Sequence, residues 1–238
     1  MNAPRTKRWR TILLGQALVT LLIAVIGGGL VFYSQGYRIN WTNMSVYKTG
    51  VILIGVSPRA DRIIVNNDEY KNTSFVSKEA VSGIYNVRVE KEGYSSWEGR
   101  VRVIPEVLYD LRDIKLFRLN PTVVEMTDQK KIEYLNLPTD VLVLNAEKGL
   151  TFGEYEIWLD NVLITRFSEP ISGVSWFYDM DHIMFQIGDE IRIIDKSGYN
   201  SATLATLSSD AKTKFAVGGR GKELYFYDNE KYYMAVIR

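Results

Sequence analysis

Residues 83–97, GIYNVRVEKEGYSSW, alternate like a strand, with Tyr85, Val87 and Val89 on one side and Asn86, Arg88 and Glu90 on the other. The alternation stops at Lys91-Glu92-Gly93-Tyr94, where Gly93 permits a turn with positive φ. It resumes in WEGRVRVI at 97–104, placing Trp97, Gly99, Val101 and Val103 on one face and Glu98, Arg100 and Arg102 on the other. Period-two runs on either side of a glycine turn describe an antiparallel hairpin with one buried face. Tyr94 is placed to fold over the end of the sheet, and Trp97 to begin the returning strand.

Working outward, VILIGV at 51–56, RIIVN at 62–66 and LYDLRDIKLF at 108–117 read as further short strands, with no helix-period segment between them. A small antiparallel β-sandwich over residues 49–118 follows. Within it, SPRADRIIVNN at 57–67 followed by the 83–97 stretch resembles the PEGA domain of bacterial and archaeal surface proteins. Ser57, Pro58, Val65, Gly83, Tyr85, Val87, Gly93, Tyr94 and Trp97 fit the family pattern. Ala60-Asp61 stands where the family has Gly-Ala, and Asn66-Asn67 replaces Asp-Gly, although asparagine still suits a tight turn. The family's Gly-x-Thr-Pro is absent around Asn72-Thr73-Ser74. The resemblance implies a noncatalytic β module of envelope proteins that binds or spaces surface components, and it names no ligand.

The N-terminal segment sets the compartment. Residues 11–33, TILLGQALVTLLIAVIGGGLVFY, carry no charge over 23 positions. As a helix they would rise about 34 Å, enough for a hydrocarbon core of roughly 30 Å. A buried helix would rarely be apolar all round, and a cleaved signal would need a shorter apolar run and a small-x-small site that Phe32-Tyr33-Ser34-Gln35-Gly36-Tyr37 does not supply. A retained membrane anchor is expected. Arg5, Lys7, Arg8 and Arg10 crowd its N-terminal side, whereas Arg38 and Lys48 are sparser beyond it, so the basic tail 1–10 is expected in the cytoplasm and the rest outside. Trp9 on one side, and Phe32, Tyr33, Tyr37 and Trp41 on the other, suit the two interfaces. Residues 34–48 read as a juxtamembrane linker.

A second pattern follows a polar linker at 119–137. Laying SWFYDMDHIMFQIGDEIRII at 175–194 over AVGGRGKELYFYDNEKYYMA at 216–235 aligns Ile183 with Leu224, Phe185 with Phe226 and Ile193 with Met234, a period of 41. A divergent third copy runs from DVLVLN at 140–145 to YEIWL at 155–159. Short strands repeating near that spacing suggest two to three propeller-like blades over 138–238. The turn between Trp176 and Phe185 resembles, in degenerate form, the Trp-x-Pro-Asp-Gly-x-x-Leu-x-Phe turn of TolB-like propellers. So few blades cannot easily close a ring, which leaves a short stacked array, edges that pair with another chain, or a shortened relative of a longer propeller. The expected fold is therefore mainly β: an N-terminal transmembrane helix, a PEGA-like sandwich, then blade repeats.

Charge and composition exclude several classes of function. Twenty-nine basic and 28 acidic residues leave no field that would draw nucleic acid. The absence of cysteine removes disulfides, thiol catalysis and thiolate metal sites. The single histidine, His182, sits in DMDHIMF beside Asp179 and Asp181. A base or metal site would want further ligands, so a turn residue at a sheet end is the better expectation. Asn66-Asn67-Asp68-Glu69 lacks calcium-loop spacing. Gly218-Gly219-Arg220-Gly221-Lys222 lacks the phosphate-loop Ser/Thr and a following helix, and reads as a blade turn. No catalytic residue, metal ligand or cofactor site is expected.

LYFYDNEKYY at 224–233 gathers Tyr225, Tyr227, Tyr232 and Tyr233 around one hairpin. Strand packing explains them first, and an exposed subset could grip a sugar or a partner. The sequence thus points to a noncatalytic envelope protein whose partners are the membrane, an envelope protein or glycan, and a second copy through blade edges. An accessory or sensor subunit of a transport or secretion complex would use the same domains to dock a neighbour. An envelope hydrolase is disfavoured for want of a nucleophile and base.

Overall fold

A computed structural model describes residues 5–41, 44–137 and 149–238. Helix α1 (Arg5–Ser34) opens the chain, and its Leu13–Ser34 portion is long and apolar enough to cross a membrane, with none of it buried. A helix apolar on every side suits hydrocarbon rather than a protein core, in a retained span and in a signal sequence alike.

Strands β1 (Tyr37–Asn40), β2 (Ser45–Val65), β3 (Asp68–Val81), β4 (Gly83–Glu90), β5 (Trp97–Val103) and β6 (Leu108–Lys115) form a six-stranded sheet. β1, β2, β4 and β5 are neighbours in that order, while β3 and β6 also pair with β2. The alternation read from the sequence is the burial pattern: Val87 and Val89 of β4, and Val101 and Val103 of β5, are buried, and Arg88 and Arg102 between them are exposed. The runs expected as two strands at 51–56 and 62–66 are one continuous strand, with Ser57-Pro58 inside it. Residues 34–48, expected as a linker, hold β1 and the start of β2; four-residue strands are too short to show a period.

Residues 119–137, expected as a second linker, instead hold β7 (Thr122–Glu125) and α2 (Gln129–Asn136). Asp128 caps α2 by accepting a hydrogen bond from the Lys130 amide at 3.0 Å, and Leu135 is its one buried residue. Beyond them lie three antiparallel sheets. β8 (Leu150–Phe152), β9 (Glu156–Leu159) and β10 (Val162–Arg166) make a three-stranded sheet. β11 (Ile171–Trp176), β12 (His182–Ile187), β13 (Glu190–Asp195) and β14 (Ala202–Thr206) form a four-stranded meander. In the next, β15 (Phe215–Gly218), β16 (Glu223–Asp228) and β17 (Lys231–Val236) are completed by β7, which pairs with β17 from Tyr233↔Glu125 to Val236↔Thr122.

The residues aligned at a period of 41 occupy corresponding strands: Ile183 and Phe185 on β12 match Leu224 and Phe226 on β16, and Ile193 on β13 matches Met234 on β17. Of the third copy, Glu156–Leu159 lies on β9 and DVLVLN at 140–145 falls outside the described residues. Every residue of β12 is buried, because its two faces serve two cores. Ile183 and Phe185 pack with Leu150, Ile157 and Val174, whereas Met184 joins Leu204, Leu224 and Phe226. A strand covered on both sides loses polar alternation, which is why HIMFQI reads as a continuous apolar run. His182 and Gln186 are the polar exceptions, and the Gln186 amide is satisfied by Ala211 O, Gly188 O and the Thr213 amide.

The chain divides into two compact units, Met1–Leu53 with Ser77–Tyr85 and Val101–Leu111, and Ile54–Val76 with Asn86–Arg100 and Arg112–Arg238. The divisions between these units fall within β2, β3, β4, β5 and β6. In the second unit Gly55 lies so close to β6 that a Cβ would come 2.7 Å from the Arg112 carbonyl oxygen. Gly55→Ala should therefore force two backbones apart and destabilise the fold by about 1–3 kcal/mol. Urea unfolding of the wild type and variant measures this, and unchanged stability would show that β6 yields freely.

Candidate functional site

The residues that carry the hairpin reading fall where the sequence places them. Gly83 opens β4, and Tyr85 lies on the same face as Val87 and Val89. Gly93 has φ +76° and its carbonyl accepts from the Leu119 amide at 3.0 Å. Tyr94 bridges to Arg118, and the Ser95 amide donates to Phe117 O at 2.7 Å, so the turn is fastened to the chain that follows β6. Ser57 O accepts from the Leu116 amide, and its hydroxyl accepts from Arg238 at 2.8 Å; Pro58 follows it within β2. These are structural roles.

Trp97 does more than begin β5. Its indole occupies the space beside Gly99, where a Cβ would strike the ring, and its Nε1 donates to Asp195 Oδ2 at 3.1 Å. Asp195 ends β13 and lies directly across the ladder from His182, the first residue of β12. His182 is only 4% exposed. Its Nε2 is 3.2 Å from Asp195 Oδ1, and its Nδ1 is 2.8 Å from Asp179 Oδ2. Lys115, the last residue of β6, pairs with the same Asp179 oxygen at 2.8 Å, and Asp179 Oδ1 accepts the amides of Asp181 and His182. Asn200 closes the far side, donating to Asp195 Oδ2 at 2.7 Å and exchanging two hydrogen bonds with the Glu98 backbone.

Sequence reasoning expected His182 to be a turn residue at a sheet end. It stands at a strand start, but buried in a charged cluster, because Lys115 and Trp97 arrive from strands whose distance along the chain hides them. The chemistry follows from geometry. Each ring nitrogen faces a carboxylate, an arrangement that favours the doubly protonated, cationic ring. Two cations and two carboxylates balance, which makes burial tolerable. While it is protonated the ring donates through both nitrogens and has no lone pair with which to take a proton. Phe117 and Phe177 close on it edge-to-face at 5.5 and 5.9 Å.

Burial alone would push the His182 pKa down, but the bonds to Asp179 and Asp195 outweigh it and hold the pKa above its usual 6.5. Burial likewise opposes the Asp179 carboxylate, and the bonds from His182 and Lys115 outweigh it, holding Asp179 well below its usual 3.8.

The tyrosines of the last hairpin separate into two groups. Tyr225 is buried beneath α2, against Leu135 and Met126, and its hydroxyl donates to Glu223 at 2.5 Å. Tyr233 stacks on Phe226, and Tyr232 accepts a hydrogen bond from Asn136. Tyr227 remains exposed, beside its cross-strand partner Tyr232. An amphipathic helix hidden in a polar stretch explains the difference, and Asp128 ahead of Lys130-Lys131-Ile132 was its one local signal.

Where α2 meets the Gly218–Gly221 turn there is an open pocket of about 410 Å³, lined by Lys130, Lys131, Tyr134, Val217, Arg220 and Tyr225 among others. Lys131 pairs with Glu223 at 2.8 Å, which raises the lysine pKa and lowers that of Glu223. Burial, with the Glu223 bond second, pushes Tyr225 up to about 12. The Tyr134 hydroxyl donates to Val217 O at 3.1 Å, which fixes one wall. Cations and a tyrosine at an open mouth suit an anionic group on a sugar or peptide.

Residues 49–112 match the PEGA domain family. No curated protein matches the chain. The family match ends before β7 and does not reach the later sheets.

The ionic cluster makes stability depend on pH. A raised histidine pKa contributes fully below 6.5, its unfolded value, and the contribution is lost as pH rises through the folded value. The depressed Asp179 contributes above 3.8 and is lost as pH falls through its folded value. Melting temperature should therefore decline above roughly pH 6.5 in the wild type. His182→Gln, which cannot donate to both carboxylates, should cost about 3–5 kcal/mol and remove that decline. Thermal melts from pH 5 to 9 test it, and an identical decline in the variant would place its origin elsewhere.

Proposed function

We propose that this chain is a membrane-anchored, extracytoplasmic, noncatalytic protein of the cell envelope that binds or spaces surface components. The observation that carries this reading is an exposed apolar helix long enough to span a bilayer, followed directly by a PEGA-type sheet. The basic residues Arg5, Lys7, Arg8 and Arg10 favour a cytoplasmic N-terminus. Engagement of both His182 nitrogens argues against the chain's single histidine acting as a base. In this reading the three later sheets are blades of an incomplete propeller. Successive meanders, and the strand that β7 lends to the last of them, support it. Their outer strands, β10 and β15 among them, leave edges through which a second copy could pair.

Two experiments test the proposal. Protease added to intact cells should digest the chain beyond about residue 45 while an N-terminal tag survives. Protection of the C-terminal sheets until lysis would reverse the topology. Binding is expected at the pocket between α2 and the Gly218–Gly221 turn. Full-length protein in nanodiscs should retain an anionic wall polysaccharide better than a neutral one. Lys130→Ala combined with Arg220→Ala should weaken that retention by about tenfold or more, equivalent to about 1.4 kcal/mol. Equal retention by the variant would move the site elsewhere, and turnover of peptidoglycan, peptide or ester substrates would overturn the noncatalytic reading.

A further inference from the structure

β1 and the start of β2 form a hairpin that begins three residues after α1 ends, in register from Tyr37↔Lys48 to Asn40↔Ser45. Strand alternation puts Tyr37, Ile39, Val46 and Lys48 on one face, where Ile39 and Val46 are direct cross-strand partners. The two are 41% and 54% exposed. At the hairpin's end Trp41 is 76% and Met44 72% exposed. An apolar cross-strand pair and two large apolar residues are thus bare on one short element. In water such a patch is costly, and it marks an interaction surface.

The orientation of that face is fixed by its first residue. Tyr37 stacks on Phe32 of α1, with ring centroids 4.4 Å apart and planes within 15°. The face bearing Ile39 and Val46 is therefore the one turned to the helix, whose surroundings in a membrane are lipid. Arg38 fastens the arrangement from the opposite face. Its guanidinium donates to the carbonyls of Tyr33 and Tyr37 at 2.9 Å, lies 3.7 Å above the Tyr33 ring and pairs with Glu79. Lys48, over the Tyr37 ring and paired with Glu106, bounds the patch with charge. Aromatic and basic residues around an apolar patch make the composition that settles at the headgroup layer.

We propose that this hairpin lies in the outer headgroup layer of the membrane, with lipid as the partner of Ile39, Trp41, Met44 and Val46. It thereby acts as a second, interfacial contact rather than a tether. The proposal rests on α1 being a retained span. The chain has no cysteine, so single cysteines report without background. Leu22→Cys in α1, Met44→Cys and Val46→Cys in the hairpin, and Tyr199→Cys as an exposed control would each be labelled with an environment-sensitive dye in full-length protein. The labelled proteins would be placed in phosphatidylcholine–phosphatidylglycerol nanodiscs carrying nitroxide either at the headgroup or at mid-chain. Support consists of a blue shift with headgroup-nitroxide quenching at residues 44 and 46, mid-chain quenching at 22, and neither at 199. Mid-chain quenching at 22 with residues 44 and 46 as open to aqueous iodide as 199 would overturn the hairpin proposal and leave the span. No lipid quenching at 22, or loss of the N-terminal segment from the mature chain, would overturn both.

Discussion

Two half-buried carboxylates a single imidazole apart would repel each other and lose part of their hydration, and a fold that places Asp179 and Asp195 there must supply positive charge beside them. His182 and Lys115 supply it. The consequences spread through residues far apart in sequence. Trp97 keeps its indole within reach because Gly99 leaves room, Lys115 must sit at the end of β6, and the turn holding Asp179 must present its side chain to both cations. Strands of the PEGA-type segment and of the β11–β14 meander are thereby joined by directional bonds rather than by apolar packing alone. A buried cluster of this kind contributes registry, since shifting any partner by a residue leaves an unpaired charge.

Much of the architecture is legible in local pattern. Alternation at 83–103 marks β4 and β5 because each strand has one wet face, and the uncharged run at 11–33 can be recognised without any partner. What escapes local reading depends on neighbours distant in the chain. β7 and α2 hide in a polar stretch because β7 has all four residues exposed and α2 buries only Leu135. Which of the last hairpin's tyrosines is covered depends on α2, which lies over Tyr225. His182 looks solitary because Asp195 comes from the next strand, and Trp97 and Lys115, which bond to Asp195 and Asp179, come from distant ones.

The two ends of the proposed function use different physics. Toward the membrane the chain offers apolar and aromatic surface, for which a bilayer interface is the matching medium. At the pocket under α2 it offers ammonium and guanidinium groups at an open mouth, with tyrosine as a wall.

The pairing of β7 with β17 also constrains when this structure can form. Residues 122–125 lie more than a hundred positions before the strand they complete. At synthesis rates of about 5–20 residues per second, β7 waits on the order of 5–20 s for its partner to emerge. Until residue 236 is free, the last sheet has no outer strand and its edge is open to mispairing. Assembly of that sheet therefore waits for β17 to be made, whereas β14 and the sheets before it can form earlier.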